Sequence, residues 1–119
     1  MNLREGTVMT KASKEPKKNI RDLPRYEDWL IDSLKNKKEA GAYLQAALEE
    51  YQTDGNTEAL LLAFRHVAMA RGGIAELAKK AELSRETLYR TLSKKGNPKL
   101  QTLGKILRGL GFSFKIKYA

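Results

Sequence analysis

LSRETLYRTLSKKGNPKL, residues 83 to 100, gathers two arginines, a tyrosine and an adjacent pair of lysines into one short helix and its exit loop. Ser84 suits the N-cap, because its hydroxyl accepts a backbone N–H from the first turn, and Glu86 suits the positive end of the helix dipole. Leu88 and Leu92, four apart, supply a buried stripe, and Gly96-Asn97-Pro98 closes the segment. Upstream, Ile74, Leu77, Ala78 and Ala81 fall at helical spacing and predict two turns of helix, interrupted at Glu82-Leu83-Ser84.

Short helix, turn and capped short helix make the arrangement of a helix-turn-helix. Ala78 is small enough for the second helix to cross close over the first. Leu83 is an apolar turn residue that plugs the space between them. With Leu88 turned inward, Arg85, Glu86, Tyr89 and Arg90 point outward. In such a unit the start of the second helix enters the major groove of DNA while flanking groups hold phosphates. Arginine pairs bidentately with guanine, which is worth about 1–3 kcal/mol of discrimination. Without that context, Glu86 and Arg90 would be no more than an i, i+4 ion pair on a solvated helix.

The rest of the chain reads as further helices. In YEDWLIDSL, Tyr26, Trp29, Leu30 and Leu34 are expected on one face, with Trp29, Tyr43 and Tyr51 serving as packing residues. Residues 37 to 51 carry Ala40, Tyr43, Leu44, Ala47, Leu48 and Tyr51 at helical spacing. Thr53-Asp54-Gly55-Asn56 breaks that helix and caps the next, an apolar one around Leu60, Leu61, Phe64, Val67 and Ala68. His66, the one histidine, is expected to sit satisfied within it. After Pro98, Leu100, Leu103, Leu107 and Leu110 predict a final helix. FSFKIKY, residues 112 to 118, then alternates apolar and polar side chains, the period of a half-buried strand. The expected organisation is an all-α fold with a short C-terminal β-strand: a basic, disordered arm over 1–24, a helical extension over 25–56 and the helix-turn-helix domain over 57–119.

Charge sharpens this reading. The net charge of the 119-residue chain is +9. Residues 26 to 59 hold eight Asp and Glu against three Lys and Arg, whereas residues 60 to 119 hold thirteen Lys and Arg against three Asp and Glu. A basic half is the electrostatic footprint of a nucleic-acid binder. With no cysteine and one histidine, disulfides, thiolate metal sites and His-based triads lack their parts. Glu49 and Glu50 diverge by about 100° on a helix and do not face each other as an acid–base pair. A non-enzyme with no metal or cofactor is expected. The N-terminal MNLREGTVMTKASKEPKKN lacks the apolar core of a signal peptide, and no apolar run is long enough for a bilayer, so a cytosolic protein with no membrane partner is expected.

The segment IAELAKKAELSRETLYRTLSKKGNPKLQTLGKILRGLG resembles the Cro/lambda-repressor-type DNA-binding domain. More narrowly, the blocks AYLQAALEE, RGGIAELA and LYRTLSKKGNP resemble the addiction-module antidote proteins, small bacterial antitoxins paired with RelE/ParE-like toxins. The resemblance spans roughly residues 25 to 118. It implies an antitoxin of a type II module that neutralises a small basic toxin and represses its own operon. By position it places Arg85, Glu86 and Arg90 toward the bases, and Ser84, Tyr89, Lys94, Lys95 and Asn97 toward the phosphates. Two residues depart from the Cro pattern. Glu76 stands where many such domains carry glutamine, and Glu82 stands where a glycine adopts positive φ, at a cost of about 1 kcal/mol. Lower DNA affinity than that of a dedicated repressor is therefore expected.

Two further expectations concern partners. The acidic stretch 26–59, anchored by Trp29, Leu30 and Leu34, is expected to meet the basic toxin. The unpaired strand 112–118 is expected to pair antiparallel with its copy, or to pack beside it, in a homodimer, with Phe112, Phe114, Ile116 and Tyr118 facing the final helix; the alternative is that it lies along its own domain over Leu103 and Leu107. Alternatives from the sequence are a regulator without a toxin, or an interaction module whose second helix no longer reads DNA.

Overall fold

A computed structural model of the protein describes residues 23–119, so the N-terminal arm expected over 1–24 lies, up to residue 22, outside the described residues. Six helices follow one another among them: α1 (Leu23–Ser33), α2 (Lys37–Asp54), α3 (Thr57–Ala70), α4 (Gly73–Ala81), α5 (Arg85–Thr91) and α6 (Leu100–Leu110). The breaks fall where the local chemistry puts them. The Asn36 and Asn56 side chains accept the N–H groups of Glu39 at 3.0 Å and Ala59 at 3.1 Å, capping α2 and α3. Pro24 stands in the first turn of α1, where its missing N–H leaves no intrahelical bond unmade. No helix among the described residues is long and apolar enough to cross a membrane.

The helix α3 organises the fold. It packs against α1, α2 and α4, and α4 packs in turn against α5 and α6. Leu61, Phe64, Val67 and Ala68 of α3 are wholly buried, and Leu44, Leu77, Leu88, Leu92, Ile106 and Leu110 close around them. The α4–α6 approach is close. A Cβ on Gly109 would lie 2.9 Å from Leu77 Cδ1 and 3.1 Å from the Ala81 nitrogen, so α6 needs glycine there.

Two polar residues interrupt the apolar face of α3, and each has a partner. Tyr43 Oη donates to His66 Nδ1 at 2.9 Å, and His66 Nε2–H donates to Glu27 at 3.1 Å. One neutral tautomer satisfies both bonds and agrees with the satisfied histidine expected from the sequence. Burial raises the Tyr43 hydroxyl above its ordinary value, with Tyr26 and Glu27 adding to the effect. Arg65 reaches instead to the Leu92 carbonyl.

Four sequence expectations are corrected. Leu34 is buried in the core and Leu30 packs against it, so neither is free to anchor a partner. Trp29 is not a packing residue: it is 66% exposed and stands beside the exposed Tyr26 with ring centroids 6.1 Å apart. Leu100 is exposed in the first turn of α6, and Ile106 takes the core place instead. Finally, residues 112–118 form no strand. Phe112 packs against the core, its amide donating to the Leu107 carbonyl at 2.8 Å as the end of α6 closes. Beyond it the chain lies along α2, held by Lys117 on Glu49 at 3.2 Å. Phe114, Ile116 and Tyr118 are exposed rather than facing α6. A strand needs a partner for its N–H and C=O groups, and the rest of the described chain is helical.

Candidate nucleic-acid interface

The turn from α4 to α5 sets the exposed face of α5. Glu82 has φ 58° and ψ 45°, the one non-glycine residue at positive φ among the described residues. This left-handed residue lets the Glu82 amide donate to the Lys79 carbonyl at 3.3 Å and the Leu83 amide to the Ala78 carbonyl at 3.0 Å. The pair of bonds is a Schellman closure, and the half-buried Leu83 packs against the core as such closures favour. Positive φ at this position is what the sequence reading expects of Glu82.

Ser84 then caps α5. Its hydroxyl oxygen accepts the Thr87 N–H at 3.0 Å and its proton goes to Thr87 Oγ1 at 2.8 Å. At the far end Ser93 Oγ donates to the Arg90 carbonyl at 2.8 Å, and the Arg65 guanidinium donates to the Leu92 carbonyl. A helix of seven residues has little stability of its own. Caps at both ends and the wholly buried Leu88 and Leu92 hold it in one orientation.

The residues proposed from sequence are all exposed on α5, its cap and its exit loop: Ser84 at the cap, Arg85, Glu86, Tyr89 and Arg90 on the helix, and Lys94, Lys95 and Asn97 in the loop that follows. Arg85, Arg90, Lys94 and Lys95 form no ion pair with any described residue, so their charge is free. No Glu86–Arg90 ion pair forms. Glu76, the second departure, is half-buried under Gly72 and ion-paired to Lys80 at 3.7 Å, which offsets its charge.

Two further residues shape this face: Arg65, which sequence reasoning did not single out, and Gly96, which it read only as part of the closing Gly96-Asn97-Pro98. Arg65 positions the end of α5 from α3, and its signal was a charged residue inside an apolar run. Gly96 carries the lysine loop back past α5. A Cβ there would fall onto the Thr91 carbonyl and lie 3.0 Å from Leu61 Cδ1, so any side chain would displace the loop.

The helices α1 and α2 present a different surface. Tyr26 and Trp29 stand exposed, with Asp28 and Asp32 exposed on the same short helix and Asp32 joined to Lys35 at 3.2 Å. The acidic stretch and the basic helix α5 therefore belong to separate elements of the fold.

No solved structure matches the chain. An uncharacterized protein of Haemophilus influenzae is 34% identical over 88 residues, covering 74% of this chain and 86% of that protein. A family model described as "Probable addiction module antidote protein" matches residues 27–118, from within α1 to the penultimate residue of the tail. The chain belongs to this addiction module antidote family.

Proposed function

We propose that the protein is the antitoxin of a type II toxin–antitoxin module: a non-enzymatic, cytoplasmic DNA-binding autorepressor that neutralises a small basic RelE/ParE-like toxin. The observation that carries the DNA half is the outward face of α5. Four cations with no ion pair to any described residue stand on and just after a short helix that is capped at both ends. In this reading α4 and α5 act as a Cro-type helix-turn-helix. Arg85, Glu86 and Arg90 meet base edges, and Ser84, Tyr89, Lys94, Lys95 and Asn97 hold the phosphate backbone. The protein acts as a homodimer, so that two copies of α5 reach two half-sites.

The toxin half rests on family membership, and its surface is revised from the sequence expectation. With Leu30 and Leu34 turned inward, the anchor is the Tyr26–Trp29 pair beside Asp28 and Asp32. An exposed aromatic pair rimmed by carboxylates suits a cationic protein surface, the charges speeding encounter and the rings setting the off-rate.

Binding to duplex DNA from upstream of the protein's own reading frame, measured against salt, tests the DNA half. Log affinity falls linearly with log salt, with a slope of about −0.9 per phosphate contacted. Arg85→Ala relaxes sequence preference, whereas Lys94→Ala and Lys95→Ala each weaken all sequences alike and flatten the salt slope by about one. Equal binding to the upstream fragment and to scrambled duplex refutes the autorepressor. For the toxin half, Trp29→Ala lowers co-purification with the product of the adjacent reading frame; unchanged capture removes this surface from the reading.

A further inference from the structure

A shallow groove of about 480 Å³ runs between the C-terminal half of α3, the start of α4 and the end of α5. Its walls are Met69, Ile74 and Tyr89 and its floor is Leu92. Met69 and Tyr89 are 55% and 62% exposed, which is a large apolar surface to leave against water. The charged residues that line it, Arg65 and Lys94, are of one sign, with no carboxylate among the lining residues. Arg65 uses one of its donors on the Leu92 carbonyl, and a guanidinium carries four more N–H groups.

We propose that this groove is a binding site for a small aromatic anion: a flat apolar body held between Met69, Ile74 and Tyr89, with its carboxylate, sulfonate or phosphate on Arg65 and Lys94. The volume falls within the range of small-molecule sites, and a mostly apolar lining with a few convergent polar groups is their usual composition. Charge selects among occupants. The chain's own tail carries Lys115 and Lys117 next to its exposed apolar side chains, so a second copy's tail would bring like charge to a cationic rim. DNA phosphates reach Tyr89 and Lys94 in the proposed reading, but a sugar–phosphate strand brings no flat apolar body to lie between Met69, Ile74 and Tyr89. An occupant would also bear on α5, because Tyr89, Leu92 and Lys94 belong to that helix and its exit. That consequence rests on the DNA reading, whereas the site itself does not.

The test uses the full chain, labelled with ¹⁵N, and three probes of one size: naphthalene-1-sulfonate, the neutral 1-naphthylmethanol and the cationic 1-naphthylmethylammonium. Amide shifts at Met69, Ile74, Tyr89 and Lys94 are expected with the sulfonate at about 1 mM, and binding of the cation is about tenfold weaker or more. Met69→Asp, an exposed position that the fold tolerates, lowers sulfonate affinity about tenfold by placing a like charge in the wall. Ile116→Ser in the tail leaves it unchanged. Shifts that fall on α2 and the tail, equal binding of the cation and the sulfonate, or no shift with any probe would each overturn the site. None of these results depends on whether the protein binds DNA.

Discussion

Glu82 offers a sharp test of the turn that aims α5. An L-residue in the left-handed region costs about 1–2 kcal/mol against glycine, which has no Cβ to crowd the following carbonyl. Glycine in turn gives the unfolded chain extra freedom, worth about 0.4–1 kcal/mol. The Glu82 side chain is exposed and joins no ion pair with a described residue, so removing it breaks nothing on the folded side. It also sits at the negative end of α4, where a carboxylate is unfavourable by about 0.3–1 kcal/mol. Midpoint against midpoint, about 1.5 less about 0.7, Glu82→Gly is expected to stabilise the fold by about 0.8 kcal/mol from the backbone alone. That corresponds to a Tm gain of about 3–6 °C for a domain of this size. Urea and thermal unfolding followed by far-UV circular dichroism measure it, with Glu82→Gln as the control that removes the charge but keeps the strained φ. The gain of Gly over Gln isolates the backbone. A Gly variant no more stable than the Gln variant would refute the claim that the turn is strained.

Tyr43→Phe leaves His66 Nδ1 without its donor and is expected to cost about 1–3 kcal/mol at neutral pH. Because Tyr43 titrates above 10.0 in the folded state, its contribution is complete below pH 10 and fades as pH rises through the folded value. The gap between wild type and variant in denaturation midpoint should therefore shrink on the alkaline side. Gly109→Ala and Gly104→Ala make an opposed pair on α6. At Gly109 the added methyl meets Leu77 and the Ala81 backbone, and overpacking of about 1–3 kcal/mol outweighs the helix-propensity gain. At Gly104 nothing lies within 4 Å, so the gain of about 0.8–1.0 kcal/mol stands alone. Chemical denaturation of the two variants should move in opposite directions.

The helices were legible where their boundaries are written in local chemistry: Asn56 and Ser84 cap, and Glu82 turns, with partners a few residues away, whereas the Asn36 cap that starts α2 went unread. Besides the strand expected over 112–118, which found no backbone partner among the described residues, what failed were statements about which side of a helix is covered. Tyr26, Trp29, Leu30 and Leu34 all suit a broad apolar stripe, but α1 packs chiefly on α3 and needs only a narrow one. Leu34 and Leu30 fill it, and Trp29 is left in water. On α6 the leucine series fitted the helical period as well as the true inward set of Leu103, Ile106, Leu107 and Leu110, and only the position of α4 chooses between them. At the interface the exposed residues of α5 were legible from Leu88 alone, since its burial orients the rest. The contribution of Arg65 was not, because its partner Leu92 lies 27 residues on and comes within reach only through packing.

The tail carries the last prediction. Residues 113–119 make no backbone–backbone hydrogen bond with any described residue, and Ile116 and Tyr118 are wholly exposed, yet their alternation suits a strand. Two copies pairing antiparallel would supply each other's missing partners and cover both side chains of each copy. Burying one such side chain contributes about 1.5–3 kcal/mol, so four give about 6–12 kcal/mol. Association itself costs about 4–15 kcal/mol, which leaves a dimer of micromolar strength at best through the tail. On the proposed DNA reading, operator DNA would tighten it, because each α5 would take a half-site about one helical turn from the other. The truncation that tests this must spare Phe112, which packs against Gly41 and the core and whose loss would unsettle the fold. A chain ending at Ser113 keeps it. Sedimentation equilibrium should show the full chain self-associating no more tightly than micromolar, with the dimer favoured on operator DNA, and the shortened chain as a monomer. Ile116→Lys should raise Kd about tenfold or more by placing a charge in the pairing face. A dimer that survives in the shortened chain would place the interface elsewhere, and a full chain that stays monomeric both free and on operator DNA would sink the homodimer.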